Sequence, residues 1–501
     1  MMAKDKIYVL NPGYQLRNDV HRVALFSKGM LDHSGSKDWI SFIHPIQAVM
    51  LSFFTYHRTL EENIQLLADY FHRDEAYMEK MVSSYITNPT PIYTQWKDQK
   101  INFPKNVLID LDEVNHPYLY QELSSDLFIC EKLDLTSRRF YSGPLLLTFM
   151  LTNKCLTRCR YCYADTSTVV QQMLPTSRIL QLIQEAARLQ VQQVNLMGGE
   201  IFLHNDWDVI LSELVKYNIA PEYISTKIPL TNELLVKLRN TGYRNLVQIS
   251  LDALDEDVLY NMLNAPRNYV ADILKGIQLL DQSGISFQVS SVLTRYNCDH
   301  RMFTDLFRFL STLENLRNWR IVPVNNSLHA KHKNASDLKP DKADVGSLFE
   351  YMEEFILPHA HFPILLGKES INKKFYIDKG GSAQFSGATC SALNTHMFIL
   401  PDGQVTICEQ LYWNPRFIIG SVNNKSLTEV WGSPQALYLS ELSQKDIQEK
   451  SKCKQCSLFE QCFRSKNRCW SDIVKAYGDQ CWDFPDPRCY FASEMKTNLG
   501  Y

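Results

Sequence analysis

The sequence has little of what would direct the chain to a membrane or to nucleic acid. No uninterrupted apolar run among its 501 residues approaches the ~20 residues of a membrane span. The formal net charge of −3 gives no general attraction to nucleic acid or to an anionic lipid surface. The first six residues, Met-Met-Ala-Lys-Asp-Lys, lack the apolar core of a signal peptide. We therefore expect a soluble, cytoplasmic protein without a nucleic-acid or membrane partner.

Cysteine, in contrast, is abundant. The chain has 13 cysteines, and disulfides rarely persist in the cytoplasm, so their number needs another explanation. Cys130 and Cys298 stand alone and are interpreted as ordinary buried thiols. Three cysteines fall at 155–162 and eight between 390 and 489. Clustering at short spacing favours metal ligation over scattered core thiols.

The N-terminal 90 residues are predicted to form a small module. Apolar runs at 7–10 and 20–26, separated by an Asn-Pro-Gly turn, predict a β-hairpin. Three short helices should follow, the second opened by a capping box of Thr59 and Glu62. Strands followed by short helices describe a winged-helix-like unit, and a plain packing extension of the main domain explains the pattern equally well. Residues 91–143 are interrupted by proline and charge and are interpreted as a connector.

The segment 144–330 alternates strands and helices, which predicts an α/β fold. Six βα units indicate a partial (β/α)6 barrel, because the stretch is shorter than the ~250 residues of a complete barrel. Residues 331–389 are interpreted as a linker region, with a solvated loop at 330–345, and residues 390–501 as a cysteine-rich domain. The predicted strands are Leu145–Leu151, Val191–Met197, Glu222–Thr226, Leu246–Leu251, Ser286–Leu293 and Trp319–Val324.

Polar residues stand where these strands end. Met-Gly-Gly-Glu ends the second strand at 197–200, and two residues without side chains let a ligand approach the backbone closely. The third ends in Ser-Thr-Lys at 225–227 and the fourth in Ser-Leu-Asp at 250–252. Polar groups gathered at one rim of an apolar barrel are typical of a binding site. Taken singly, Ser225, Thr226 and Asn297 are better explained as turn or cap residues.

Three cysteines, Cys155, Cys159 and Cys162, follow the first strand with spacers of three and two residues. Three such thiolates can bind one corner of an iron–sulfur cube. A cube has four irons, so one iron is left open, as a catalytic zinc keeps an open position. An open iron implies chemistry at that iron.

The cysteine loop and the Gly-Gly-Glu after the next strand resemble the radical S-adenosylmethionine (SAM) enzymes. The loop matches their C-x3-C-x2-C pattern, with an aromatic residue just before the last cysteine. The resemblance implies that the three cysteines hold a 4Fe-4S cluster whose fourth iron is chelated by SAM. It implies further SAM-binding positions at Tyr161, Gly198, Gly199, Glu200, Ser250 and Asp252.

The same resemblance implies the reaction. An electron from the reduced cluster cleaves SAM to methionine and a 5′-deoxyadenosyl radical, which abstracts a hydrogen from the substrate. Such a system also needs an external electron donor, such as a flavodoxin or a ferredoxin. The protein's own task is positioning and the exclusion of competing reactions.

The C-terminal cysteines resemble a SPASM domain, which carries auxiliary iron–sulfur clusters. Cys390 and Cys408, with Gly403 between them, match one element, and Cys453-x2-Cys456-x5-Cys462 matches the next. Cys469 follows after six residues where family members often have three. A zinc ribbon is the alternative, since C-x2-C pairs also bind zinc.

The SPASM resemblance implies two auxiliary clusters. One would be held by Cys390, Cys408 and Cys469. The other would be held by the cysteines at 453, 456 and 462 together with Cys489. Cys481 either completes the first set or stays free, which would leave that cluster open to a substrate thiolate.

The N-terminal module resembles the PqqD-like recognition domains of peptide-modifying systems, on the strength of His-Pro-Ile-Gln-Ala at 44–48 and Thr-Leu-Glu-Glu at 59–62. Such domains bind a precursor's leader by adding its strand to a sheet edge. The edge is expected at the strand Val20–Phe26. The three-part layout is similar to that of the subtilosin-type peptide maturases.

We therefore expect a radical SAM maturase that crosslinks a ribosomally made precursor peptide through a thioether or a carbon–carbon bond. A first alternative is a sulfatase-maturase-like enzyme that oxidises a Cys or Ser in a protein substrate. Such enzymes use an acidic residue as base, and Glu409 directly follows Cys408. A second alternative is a non-catalytic iron–sulfur protein for binding or electron transfer.

Overall fold

The computed structural model describes residues 3–28, 36, 38–114, 122–329, 335–373, 375, 387–466 and 468–501. The chain divides into two compact units, Met1–Ser142 and Gly143–Tyr501. In the described part of the chain, no helix is long and apolar enough to span a bilayer.

The first unit contains seven short strands and three helices among its described residues. The strands are β1 (Tyr8–Leu10), β2 (Tyr14–Asn18), β3 (Val23–Ser27), β4 (Ile40–Ile43), β5 (Ile92–Trp96), β6 (Gln99–Phe103) and β7 (Leu108–Asp110). The helices are α1 (Pro45–Ser52), α2 (Leu60–Phe71) and α3 (Glu75–Ser83).

The three helices of this unit are confirmed. The capping box of α2 forms as expected, because Thr59 accepts a hydrogen bond from the Glu62 backbone and the Glu62 side chain accepts one from the Thr59 backbone. Helix α1 begins with Pro45 at its first position, where a missing N–H is harmless.

The predicted hairpin between 7–10 and 20–26 is wrong. Strand β1 pairs with β7, far along the chain, and β3 pairs with the unpredicted strand β2. Val20 lies in the turn between β2 and β3 with a φ of 61°. The prediction was wrong because it used only the turn residues next to β1, and these do not indicate pairing with a strand about 100 residues away.

The edge expected at Val20–Phe26 is also wrong. Strand β3 pairs with β2 on one side and with β4 on the other, so it is the central strand of a three-stranded antiparallel sheet. The backbone N–H and C=O groups of β3 therefore form hydrogen bonds with strands on both sides. Strand β4 pairs with β3 alone among the described strands, so β4 is an edge strand of this sheet.

Residues 91–142 form more than a connector. Strands β5 and β6 make a hairpin, and β7 completes the pair with β1. Ile101, Phe103 and Leu108 are buried in the core of the first unit. The buried guanidinium of Arg22 pairs with Asp19 at 2.9 Å and also donates to backbone carbonyls at 137 and 139. The segment therefore belongs to the first unit.

The second unit contains ten strands and twelve helices among its described residues. The strands are β8 (Leu146–Met150), β9 (Gln193–Met197), β10 (Tyr223–Thr226), β11 (Leu246–Ser250), β12 (Phe287–Leu293), β13 (Leu316–Pro323), β14 (Ile364–Leu366), β15 (His396–Ile399), β16 (Gln404–Thr406) and β17 (Ile418–Ser421). The helices are α4 (Thr176–Arg188), α5 (Trp207–Lys216), α6 (Asn232–Asn240), α7 (Glu256–Leu263), α8 (Tyr269–Gln282), α9 (His300–Leu310), α10 (Lys342–Tyr351), α11 (Lys368–Ile371), α12 (Leu427–Trp431), α13 (Pro434–Ser440), α14 (Phe459–Ser465) and α15 (Trp470–Tyr477).

All six predicted barrel strands are present, and helices connect them in order. They fall into two sheets, with strand orders β10-β11-β12-β13-β14 and β17-β16-β15-β8-β9. Strand pairs from β10 to β14 and from β15 through β8 to β9 are parallel. The buried apolar face of each strand packs against the helices. The partial (β/α)6 barrel is confirmed.

The segments predicted to flank the barrel contribute strands to it. Strand β14, from the predicted linker, pairs with β13, and β15, from the cysteine-rich region, pairs with β8. Covering both edges protects backbone groups that would otherwise be unpaired. Residues 330–334 of the predicted solvated loop, and 374 and 376–386 of the predicted linker, lie outside the described residues.

Candidate functional site

The three cysteines of the first loop lie together just beyond β8. The Thr157 hydroxyl lies 3.7 Å from Cys155 Sγ and 3.3 Å from Cys159 Sγ, and the Cys162 amide donates to the Cys159 carbonyl at 3.2 Å. Burial raises the pKa of the Cys162 thiol to about 11, and it raises that of Cys159 as well. Metal binding to such thiols requires their deprotonation, which a nearby positive charge favours. The donor set therefore fits an iron–sulfur cluster with three cysteine ligands.

The two glycines at the end of β9 are required by the chain itself. A Cβ at Gly198 would lie 2.6 Å from the Thr152 carbonyl oxygen, and one at Gly199 would lie 2.1 Å from that of Lys154. The Gly199 amide donates to the Thr152 carbonyl at 2.7 Å, and the Glu200 amide donates to that of Lys154 at 2.8 Å. The glycines thus let the end of β9 lie directly against the start of the cysteine loop. The SAM contact expected at these glycines stays a prediction.

The carboxylate of Glu200 is buried and joins the ends of β9 and β10. It accepts hydrogen bonds from the Thr226 hydroxyl at 2.9 Å and from the Lys227 amide at 3.1 Å. Burial raises the pKa of Glu200 to about 7, against the opposing effect of these hydrogen bonds. Thr226, expected to be a turn residue, also accepts from the Ile228 amide at 3.2 Å. The Glu200 side chain therefore connects the end of β9 to the end of β10 through hydrogen bonds.

A triangle of side chains connects the cysteine loop to the ends of β10 and β11. The Lys227 ammonium lies 3.0 Å from Asp252 Oδ2, and the Tyr161 hydroxyl is hydrogen-bonded to both groups. Asp252 is fully buried, and its other oxygen accepts from the Val292 amide at 2.8 Å. Although burial lowers it, the pKa of Lys227 stays above its ordinary value because of Asp252 and Cys159.

Both carboxylate oxygens of Asp252, which was expected at the SAM site, have partners within the protein. Asp252 therefore orients Tyr161 and Lys227. The sequence analysis noted Lys227 at the end of the third barrel strand but predicted no role for it. Its position one residue beyond the third barrel strand was the available signal. Ser250, on the inner face of β11, is half-buried and makes no side-chain hydrogen bond with any residue that the structure describes.

The C-terminal cysteines separate into two groups and one isolated residue. Besides burial, the Cys469 thiol raises the pKa of both Cys390 and Cys408, so these three thiols lie near one another. The thiols at 453, 456 and 462 raise the pKa of Cys489 in the same way, so these four form a second group. Cys481 is buried in an apolar cluster with Ile473, Ala476 and Tyr477. The structure thus brings together the cysteines of the two expected sets, whereas the place of Cys481 in the first set stays a prediction.

Over the described ranges, no three cysteine, histidine or carboxylate side chains converge closely enough to share one metal ion. The cysteines expected to be ordinary thiols, Cys130 and Cys298, are both half-buried and stand apart from these groups.

Glu409 lies between the two cysteine regions. Burial raises the pKa of Glu409, and the nearby Lys475 ammonium opposes that rise. Glu409 in turn raises the pKa of Tyr163, the residue after the last cysteine of the first loop, although burial has the larger effect. A half-buried carboxyl group that holds its proton more firmly than usual is suited to proton transfer.

Comparison with known families and proteins agrees with this geometry. The radical SAM superfamily matches residues 149–304, and the SPASM iron–sulfur cluster-binding domain matches residues 390–457. The second match includes Cys390, Cys408, Cys453 and Cys456, and the later cysteines lie beyond it.

Two curated relatives and one solved structure are similar to the chain. The mycofactocin maturase MftC of Mycolicibacterium smegmatis is 24% identical over 359 residues, 70% of this chain and 84% of the relative. The subtilosin biosynthesis protein AlbA of Bacillus subtilis is 29% identical over 150 residues, 29% of this chain and 33% of the relative. SuiB of Streptococcus suis, solved with the precursor peptide SuiA, aligns with a TM-score of 0.61 at 16% identity, covering 96% of this chain and 98% of SuiB.

The SuiB likeness shows a shared fold, and the two domain matches identify the cofactors. SAM and a 4Fe-4S cluster belong to the first domain, and auxiliary iron–sulfur clusters belong to the second. With the three-cysteine loop at the end of β8 and the grouped cysteines downstream, this chain carries a radical SAM domain followed by a C-terminal SPASM domain.

Proposed function

We propose that this enzyme matures a ribosomally made precursor peptide, abstracting a hydrogen atom from it and forming a thioether or carbon–carbon crosslink. The observation that carries the proposal is the joint presence of the radical SAM site, the grouped C-terminal cysteines and an N-terminal unit with an edge strand. The relatives support it, since MftC is named a maturase, AlbA acts in subtilosin biosynthesis, and SuiB was solved with a precursor peptide.

The first loop would hold the SAM-binding cluster through its three cysteines. When bound, SAM and the clusters supply a 5′-deoxyadenosyl radical and a path for one electron. The backbone of Gly198 to Glu200, the ring of Tyr161 and the hydroxyl of Ser250 would bound the SAM molecule. Lys227 would hold Tyr161 in place and put a positive charge beside the Cys159 thiolate, whose pKa it lowers against the effect of burial.

The C-terminal cysteines would hold two auxiliary clusters, one with four cysteines and one with three. We assign Cys481 to neither set, since it is buried in an apolar cluster, so the set with Cys390, Cys408 and Cys469 would keep one position for another ligand. A substrate thiolate fits that position. This difference between the two sets favours a thioether product, in which a substrate sulfur must be held near a substrate carbon.

Joining a carbon radical to a substrate thiol releases one proton, lost when the thiol becomes a thiolate, and one electron, which the auxiliary clusters would take up. Glu409 would accept that proton, since it adjoins Cys408 and lies near Tyr163 of the first loop. The same carboxyl group favours the second candidate, oxidation of a Cys or Ser in a protein, which also needs a base. Oxidation of Ser to an aldehyde also removes two hydrogens, so the two products are separated by an aldehyde-specific reagent, which labels only the oxidation product.

The leader of the precursor would bind the first unit at the edge of β4. Ile40 at the start of this strand is 45% exposed, and strand addition at a free edge pairs backbone groups on both chains. An external electron donor of the flavodoxin or ferredoxin type would reduce the first cluster. None of the thirteen cysteines, all of which lie in the described ranges, forms a disulfide, which suits a reducing, cytoplasmic setting.

Anaerobic reconstitution tests the proposal. The enzyme is loaded with iron and sulfide, then given reductant, SAM and a candidate precursor peptide, which is sought among short reading frames beside its gene. We expect release of 5′-deoxyadenosine and a peptide lighter by two hydrogens, both abolished in the Cys155→Ala, Cys159→Ala and Cys162→Ala variants. Release of 5′-deoxyadenosine by these variants, or none from the intact enzyme, would contradict the assignment.

A further inference from the structure

The inner face of the β10–β13 sheet carries two rows of polar side chains. The first row is a continuous hydrogen-bonded chain. Gln248 donates to Ser225 at 3.0 Å, Gln288 donates to Gln248 at 2.8 Å, and Asn318 donates to Gln288 at 3.1 Å. These residues are also cross-strand neighbours in the sheet register. Their contacts establish that this face points into the barrel, because the opposite faces pack against the helices.

The second row lies two residues closer to the carboxyl ends of the strands. It consists of Ser250, Ser290 and Arg320, which are successive neighbours on β11, β12 and β13. Side chains alternate along a strand, so these three share the inner face with the first row. Within the described residues, none of the three side chains has a hydrogen-bond or ionic partner. The first row is hydrogen-bonded within itself except for the buried Oδ1 of Asn318, which has no partner among the described residues. The three side chains of the second row are open to a ligand.

Arg320 stands out because it is charged. The other inward-facing side chains of β8 to β13 are neutral hydroxyl, amide or apolar groups. Lys227, at the same level just beyond β10, is already paired with Asp252. On β15, burial lowers the pKa of His396 to about 4, so its ring is neutral near pH 7. Arg320 is thus a half-buried cation without a counter-ion among the described residues.

A half-buried guanidinium without a counter-ion is expected to bind an anion. It keeps its charge at any physiological pH, and partial removal from water without a partner is unfavourable. A carboxylate restores the balance, because its two oxygens match the guanidinium fork in a bidentate pair. The Ser290 hydroxyl, on the neighbouring strand, is a further donor to the same anion.

We propose that Arg320, assisted by Ser290, binds a carboxylate of the peptide substrate inside the barrel. The inference rests on the proposed function and names its substrate class: a peptide with an Asp, a Glu or its terminal carboxylate close to the modified residue. Ser250, the expected cofactor contact, lies in the same row, so the bound carboxylate lies at the level of the reaction.

The test compares Arg320→Met and Arg320→Lys with Arg317→Met. Arg317 is a matched control because it lies on the same strand, is exposed and donates to Ser286 at 2.9 Å. The probes are the candidate precursor peptide, its variants with each Asp or Glu changed to the amide, and its C-terminally amidated form. Product is measured by mass spectrometry and SAM affinity by equilibrium binding, and circular dichroism checks folding.

We expect Arg320→Met to raise the KM for the peptide about tenfold to hundredfold, as for a lost charge-assisted hydrogen bond. Arg320→Lys should lose less, and Arg317→Met should match the intact enzyme. One peptide variant should cause the same loss, and that loss should vanish in the Arg320→Met background because the two changes remove one interaction. Loss with the amidated form alone would assign the terminal carboxylate.

Three results would overturn the inference. The first is an unchanged peptide KM in Arg320→Met, and the second is additivity of Arg320→Met with every peptide change. The third is a loss of SAM affinity in place of peptide affinity, which would assign Arg320 to the cofactor's carboxylate. Failure of the intact enzyme to modify the peptide would instead count against the proposed function, so the two failures are distinguishable.

Discussion

Replacing Gly199 by alanine should misplace the cysteine loop. The added Cβ would lie 2.1 Å from the Lys154 carbonyl oxygen and 2.8 Å from that of Asn153. Ordinary contacts need about 3.5 Å, so the start of the loop must move by about 1 Å or more. The obstacle is backbone rather than the end of a flexible side chain, so it cannot be avoided by a change of rotamer.

The expected loss of activity is larger than the expected loss of stability. The movement breaks the hydrogen bonds from the amides of Gly199 and Glu200 to the loop, each contributing about 1 kcal/mol net. We therefore expect the free energy of unfolding to fall by about 2 kcal/mol. A misplacement of about 1 Å can reduce a rate roughly 100-fold, so 5′-deoxyadenosine release should fall by that order.

The assay measures both quantities on reconstituted protein, together with bound iron. Gly346→Ala is the control, because its Cβ meets nothing within 4 Å in helix α10. In that helix, alanine should stabilise the protein by about 0.5–1 kcal/mol and leave iron and 5′-deoxyadenosine release unchanged. If Gly199→Ala kept the normal rate and the normal iron content, the proposed link between β9 and the cysteine loop would be refuted.

Three further predictions follow from buried groups of the second unit. Lys227→Met leaves the buried carboxylate of Asp252 without its cation, so the free energy of unfolding should fall by about 3–5 kcal/mol in chemical denaturation; a loss below 1 kcal/mol would contradict this. Glu200→Gln should flatten the pH dependence of stability: burial raises the pKa of Glu200 from 4.5 to about 7, so the unfolded state releases its proton first and the normal protein loses stability as pH rises between these values. An equal slope in both proteins would show that Glu200 does not titrate there. Cys408→Ala should lower the iron content of reconstituted protein and Cys481→Ala should leave it unchanged; equal losses would make Cys481 a ligand.

Much of the core could be predicted from the sequence. The six barrel strands lie close to their predicted ranges because each is an apolar run that must be buried on one face. The cysteine loop follows β8, and Gly-Gly-Glu follows β9, because parallel strands in such folds end at one rim. Local capping chemistry likewise predicted the start of α2 correctly.

Predictions that depended on distant partners were wrong or incomplete. The pairing of β1 with β7 and the central place of β3 depend on residues about 15 to 100 positions away, and no local pattern encodes such contacts. Strands β14 and β15 join the barrel from segments that were predicted to lie outside it.

The sequence by itself determined the chemistry, because thiol number and spacing decide which cluster a chain can hold. The tertiary structure alone decided how the site is arranged. It paired Asp252 with Tyr161 and Lys227, buried Cys481 in an apolar cluster, and turned Arg320 inward beside Ser290. The physical reason is that charge pairing and burial depend on which strands become neighbours, and that is settled only when the whole sheet has formed.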